Sequence, residues 1–158
     1  MAVLILILVT MCLILSAYND VRQFRIPNIF PVVIIMLFLA SRLWWGFTPA
    51  DWGNALHFTI ALAIGMVLFG IKWIGGGDAK LYAAIALWFS GLHAAMLIMA
   101  TGLAGLVLAV AYVVARKSGW MKEVKKRSDR RIPYGLAIAG GGIAVGLSVG
   151  VNVLIPGA

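Results

Sequence analysis

Two of the five acidic residues in this 158-residue chain stand at the ends of long apolar runs. Asp20 closes the first run, in Tyr18-Asn19-Asp20-Val21-Arg22. Asp78 lies between two others, in Gly75-Gly76-Gly77-Asp78-Ala79-Lys80. A carboxylate is disfavoured by a few kcal/mol in a bilayer interior, so an acid in such a place points to a functional site. Two carboxylates that share one proton can divide the work of peptide hydrolysis. One activates water as a base and the other donates to the scissile carbonyl, and like charges a few ångströms apart raise one pKa. Such a pair titrates as a unit. Each aspartate alone has a plainer role: Asp78 as a helix N-cap beside the helix dipole, Asp20 as an interfacial carboxylate paired with Arg22 or Arg25.

The elements that must position them are membrane helices. The chain is 63% hydrophobic and 11% charged, with mean hydropathy +1.04, far above the roughly 45–50% apolar content of soluble domains. Six apolar segments follow at residues 2–18, 29–47, 56–74, 79–90, 92–115 and 133–155. A span needs about 20 residues, and the fourth segment is the short one. The alternation of a membrane barrel is missing, and backbone polarity in lipid favours helices. The expectation is one all-α polytopic domain over residues 1–158. The N-terminal run lacks Lys or Arg ahead of it, unlike a secretory signal, and is read as a retained first span.

Charge orients the bundle. Arg22 and Arg25 follow the first segment and Lys72 and Lys80 flank the turn after the third. A dense basic stretch from Arg116 to Arg131 follows the fifth. The loop after the second carries Asp51 and no Lys or Arg. The positive-inside rule places the three basic loops in the cytoplasm and both termini outside, with Arg42 snorkelling to the outer interface. Asp20 and Asp78 then reach one membrane depth from distant parts of the chain. The net charge of +8 is explained by these loops and calls for no nucleic-acid partner; the basic loop suits anionic lipid headgroups.

The remaining residues are supports. Gly75, Gly76 and Gly77 permit positive φ and close backbone approach, which an extended peptide beside Asp78 requires; the phosphate-loop pattern is absent. Pro27, before Asn28, and Pro133 open the second and sixth helices. Lys80 is placed to steady negative charge near Asp78 or to anchor the inner face. Single Cys12 permits no internal disulfide or cysteine metal cluster. His57 and His93 lie at the opposite ends of helices and lack clustered partners, so no metal or cofactor is expected. Trp44, Trp45 and Trp52 suit an outer aromatic belt. Gly140-Gly141-Gly142 and Gly146 permit close helix packing.

These motifs resemble a known family. Asp20-Val21-Arg22-Gln23-Phe24-Arg25-Ile26-Pro27-Asn28 resembles the first-aspartate motif of type IV prepilin peptidases. Gly75-Gly76-Gly77-Asp78-Ala79-Lys80 resembles their second, the G-x-G-D signature shared with other intramembrane aspartyl proteases. Ile132-Pro133-Tyr134-Gly135 resembles a weaker third element. The resemblance implies a membrane aspartyl endopeptidase that removes the leader of prepilin or pseudopilin substrates at the cytoplasmic face of the cell membrane. It implies Asp20 and Asp78 as catalytic residues, with Gly75, Gly77, Lys80, Pro27 and Asn28 shaping the site. Because the chain starts in its first apolar run, without the cysteine-bearing region of longer members, it is similar to the short branch serving Tad/Flp-type pili or to a related archaeal form. Two other classes remain in view. A small ion- or proton-coupled transporter would carry its acids near the midplane, and a non-catalytic pilus or secretion scaffold would tolerate Asp→Asn.

Overall fold

Apolar backbone removed from water must close its hydrogen bonds within helices. In the computed structural model, which describes residues 2–117 and 133–150, the chain does so. The helices are α1 (Ala2–Gln23), α2 (Ile29–Trp45), α3 (Ala50–Gly70), α4 (Gly76–Ala86), α5 (Gly91–Lys117) and α6 (Tyr134–Val149), with no strand among the described residues. Most of the basic stretch 116–131, Ile132 and the C-terminal Pro156-Gly157-Ala158 lie outside the described residues.

Helices α1, α3 and α5 are long and apolar enough to cross a membrane; α2 and α6 are shorter apolar helices. Their outward faces carry exposed large side chains such as Leu4, Met36, Val67, Leu103 and Val107. So much contiguous apolar surface is unsuited to water, and the protein is a membrane protein. Helix α3 packs on α4, α5 on α6, and α1 on both α6 and α2.

The boundaries differ from the apolar runs for local reasons. Helix α1 continues past residue 18 to Gln23, which places Asp20 inside its last turn. Helix α3 begins at Ala50 rather than residue 56 because Asp51 organises its first turn. Its carboxylate accepts the Thr48 N–H at 2.6 Å and the Thr48 hydroxyl at 3.1 Å. Helix α3 stops at Gly70, where Lys72 turns into the left-handed region at φ 62°.

Helix α4 has only 11 residues and forms the centre of the bundle. Leu81, Ala83, Ala84 and Ala86 are each 0% exposed, enclosed by α2, α3 and α6. A helix shielded by its neighbours can end within the bundle if its last carbonyls find partners. They do: the Ala83, Ile85 and Ala86 carbonyls accept the Leu87, Trp88 and Phe89 N–H groups at 3.2, 3.0 and 3.1 Å, and beyond the helix the Phe89 carbonyl accepts a hydrogen bond from His57 Nδ1 at 2.8 Å. Gly65 lets α3 approach closely here, since a Cβ on it would lie 2.9 Å from Ala79 Cβ. Gly141 does the same for α5 and α6, where a Cβ would meet the Thr101 backbone nitrogen at 2.8 Å.

Arg42 corrects one expectation. It does not snorkel outward. It is 2% exposed and its Nε lies 2.7 Å from Asp51 Oδ1, with its guanidinium 4.8 Å from the centre of the Phe38 ring. A buried Arg needs a carboxylate nearby, and the start of α3 supplies it.

Candidate active site

Asp20 is held by the start of α6. It is 5% exposed, and its Oδ2 accepts the Gly135 N–H at 2.7 Å. The first N–H groups of a helix lack intrahelical partners, and the positive end of the helix dipole favours an anion. Gly135 is required at this contact: a Cβ there would lie 2.8 Å from Asp20 Oδ2 and 2.8 Å from Ile26 Cδ1. The neighbouring arginines are not its partners in the manner expected, since Arg22 stacks over Tyr18, 4.8 Å from the ring centre.

Asp78 is the third residue of α4, not its N-cap; Gly75 holds that position. The carboxylate reaches back, and its Oδ2 accepts the Gly75 N–H at 3.2 Å, half of a capping box. Its Oδ1 is buried with no hydrogen-bond partner among the described residues. Asp78 stands ahead of the apolar run 79–90. Burial, then the charge of Asp20, push its carboxyl up to about 6, while the Gly75 N–H pulls the other way.

Both aspartates border one cavity of about 390 Å³. Phe24, Ile26, Pro27 and Asn28 line it from the first motif, and Gly75, Gly76 and Gly77 from the second. Two local devices fold the motifs together. Phe24 adopts φ 51° and its N–H bonds the Asp20 carbonyl at 2.8 Å, which ends α1 and turns the chain back over the cavity. Gly77 then lies under Ile26, where a Cβ would meet Ile26 Cβ at 2.9 Å and its carbonyl oxygen at 3.2 Å. The three glycines work through this missing Cβ rather than through positive φ, which none of them adopts.

Asn28 and Lys80 tie the two motifs directly. Asn28 precedes α2 but makes no side-chain cap. Its Oδ1 instead accepts a hydrogen bond from Lys80 Nζ at 3.2 Å. Pro27 accepts the Phe30 N–H at 3.3 Å, which sets the entry into α2.

A second cavity, of about 380 Å³, reaches Asp78 from the other side, lined mainly by apolar side chains of α3, α4, α5 and α6. Sequence reasoning did not find this cavity, nor Gly135 as a partner of Asp20. The only available signal was Pro133-Tyr134-Gly135 as a helix start, whose free N–H groups require an acceptor.

Neither the curated proteins nor the solved structures gave a match to the chain. The type IV leader peptidase family matches residues 6–110, a stretch that carries both aspartates and both of their motifs, so the chain belongs to that family.

Proposed function

We propose that the chain is a membrane aspartyl endopeptidase that cuts the leader from type IV prepilin-like substrates at the cytoplasmic membrane face, with Asp20 and Asp78 as its catalytic pair. The observation that carries this reading is that both carboxylates border one cavity and the charge of Asp20 raises the pKa of Asp78. In the form holding one proton, Asp78 carries it. Asp20 takes a proton from a water whose oxygen attacks the scissile carbonyl carbon, and Asp78 donates to the carbonyl oxygen. Collapse of the resulting diol breaks the C–N bond, returns a proton to Asp78 and passes the proton held by Asp20 to the leaving amine. Gly75 and Gly77 keep the wall low enough for an extended peptide, and the Lys80–Asn28 bond holds the two motifs in register.

The whole of residues 1–158 acts as one domain in this reading, with six membrane-embedded helices, the short α4 continued by the segment to residue 90, and both termini outside. The basic loops then face the cytoplasm of the cell membrane and its anionic lipids. A transporter is disfavoured because the two acids fall at helix ends: Asp20 in the last turn of α1 and Asp78 in the first turn of α4.

Co-expression with a prepilin-like substrate tests the reading. The expected result is a shortened substrate whose new N-terminus begins at its apolar helix. An uncut substrate across a panel of prepilins and pseudopilins contradicts it.

A further inference from the structure

The second cavity extends the site along the bundle. It runs from Asp78 toward His57 of α3, with Ile64, Leu68, Gly102 and Tyr134 among its walls. From Leu68 to His57 the helix rises about 17 Å. Helices α3 and α5 form its two sides without packing extensively on each other, while α4 and α6 form its floor. Helices α3 and α5 are also the least covered of the long spans, with 17% and 11% of their apolar windows buried. The cavity is thus a groove whose open side faces the surroundings of α3 and α5. Asp78 is the one carboxylate on its wall among the described residues, and it also borders the polar cavity shared with Asp20.

We propose that this groove seats the apolar helix that follows the scissile bond of the substrate, entering sideways from lipid between α3 and α5. The inference rests on the endopeptidase reading above. Continuity selects the occupant. A polypeptide that presents its scissile bond to Asp78 can keep its extended, polar part in the cavity beside Asp20, and only an apolar continuation can lie in the groove. Gly102 offers open space, with nothing within 4 Å of where its Cβ would be, so a backbone can approach there.

That open space also supplies the test. Gly102→Trp fills the groove from α5 without meeting any neighbour at the Cβ, and Gly70→Trp, equally open but off the groove, is the control. Two probes are compared in proteoliposomes: a basic leader and scissile bond followed by an apolar helix of about 20 residues, and the same peptide ended within one helical turn of that bond. The expected result is that Gly102→Trp lowers the ratio of kcat/KM for the long probe over the short one at least tenfold, while Gly70→Trp leaves the ratio unaltered. A photo-crosslinking side chain at position 102 of an Asp78→Asn background should capture the long probe. An unchanged ratio with crosslinks to lipid only means that the groove holds acyl chains, and overturns the inference. Cleavage of neither probe by the unaltered protein instead removes the endopeptidase reading, and the inference with it.

Discussion

At the scale of single residues, the site depends on a few contacts that tolerate no extra atom. Gly135→Ala keeps the N–H that Asp20 accepts but puts a methyl 2.8 Å from the same oxygen. Displacement of a reacting carboxylate by a fraction of an ångström weakens its alignment, and we expect cleavage to slow at least about tenfold with normal membrane levels of the protein. The pH profile follows from Asp78. In the proposed mechanism the pair holds one proton, which Asp78 loses as pH rises through about 6, so the alkaline limb of the rate profile is expected to fall there. The same raised value means the fold is penalised once Asp78 ionises. Its contribution to stability is lost as pH climbs from the ordinary 3.8 through about 6. In Asp20→Asn the repelling charge is gone while burial remains, so an infrared titration of the Asp78 carboxyl should move downward yet stay above 3.8. Lys80→Ala removes one solvent-exposed bond to Asn28, worth roughly 0.5–1.5 kcal/mol, and should cost severalfold in rate; Asn28→Ala added to it should cost little more. Asp20, Asp78 and the glycines were legible in the sequence because acids at the ends of apolar runs have few structural uses. Gly135 and the Arg42–Asp51 pair were not, because each depends on a contact between residues of different helices.

Helices set which of those contacts can exist. Small residues decide the spacing, and their partners differ in how far they can yield. A Cβ on Gly65 meets Ala79 Cβ at 2.9 Å and the Ala79 Cα at 3.3 Å. Gly65→Ala should therefore lower stability by about 1–3 kcal/mol, and Ala79→Gly should restore part of it in the double variant, read by unfolding in mixed detergent. At Gly141 the obstacles are Thr101 Cγ2 and, at 2.8 Å, the Thr101 backbone nitrogen, so a side-chain change alone cannot fully rescue Gly141→Ala. Truncating one partner of the Arg42–Asp51 pair leaves a buried charge, and Arg42→Met should lose about 3–5 kcal/mol. The order of the six helices was readable from apolar runs and the glycines and prolines between them. The extent of α4 was not. Its run reads as a short span, whereas the helix stops at Ala86 because neighbours shield it and the Leu87, Trp88 and Phe89 N–H groups take up its last carbonyls. Nor does the apolarity of α3 and α5 tell which of their faces meets lipid and which walls a groove; that division arises only when α4 and α6 lie between them.

The proposed orientation puts this chemistry at one side of a membrane, and that side can be measured. With Cys12 replaced, Trp73→Cys and Trp52→Cys put thiols at positions 77% and 82% exposed. An impermeant maleimide should label the Trp52 position from outside cells and the Trp73 position only in inverted vesicles. The opposite pattern would move the aspartates to the outer face. Everything said of the groove, the proton and the glycine walls, however, rests on Asp20 and Asp78 acting together on one peptide bond. The most direct measurement is cleavage of a co-expressed prepilin-like substrate by the unaltered chain, by Asp20→Asn and by Asp78→Asn, at matched membrane levels. The account predicts a shortened product with the unaltered chain and none with either variant. Normal processing by either variant would remove that carboxylate from the reaction and contradict the paired mechanism.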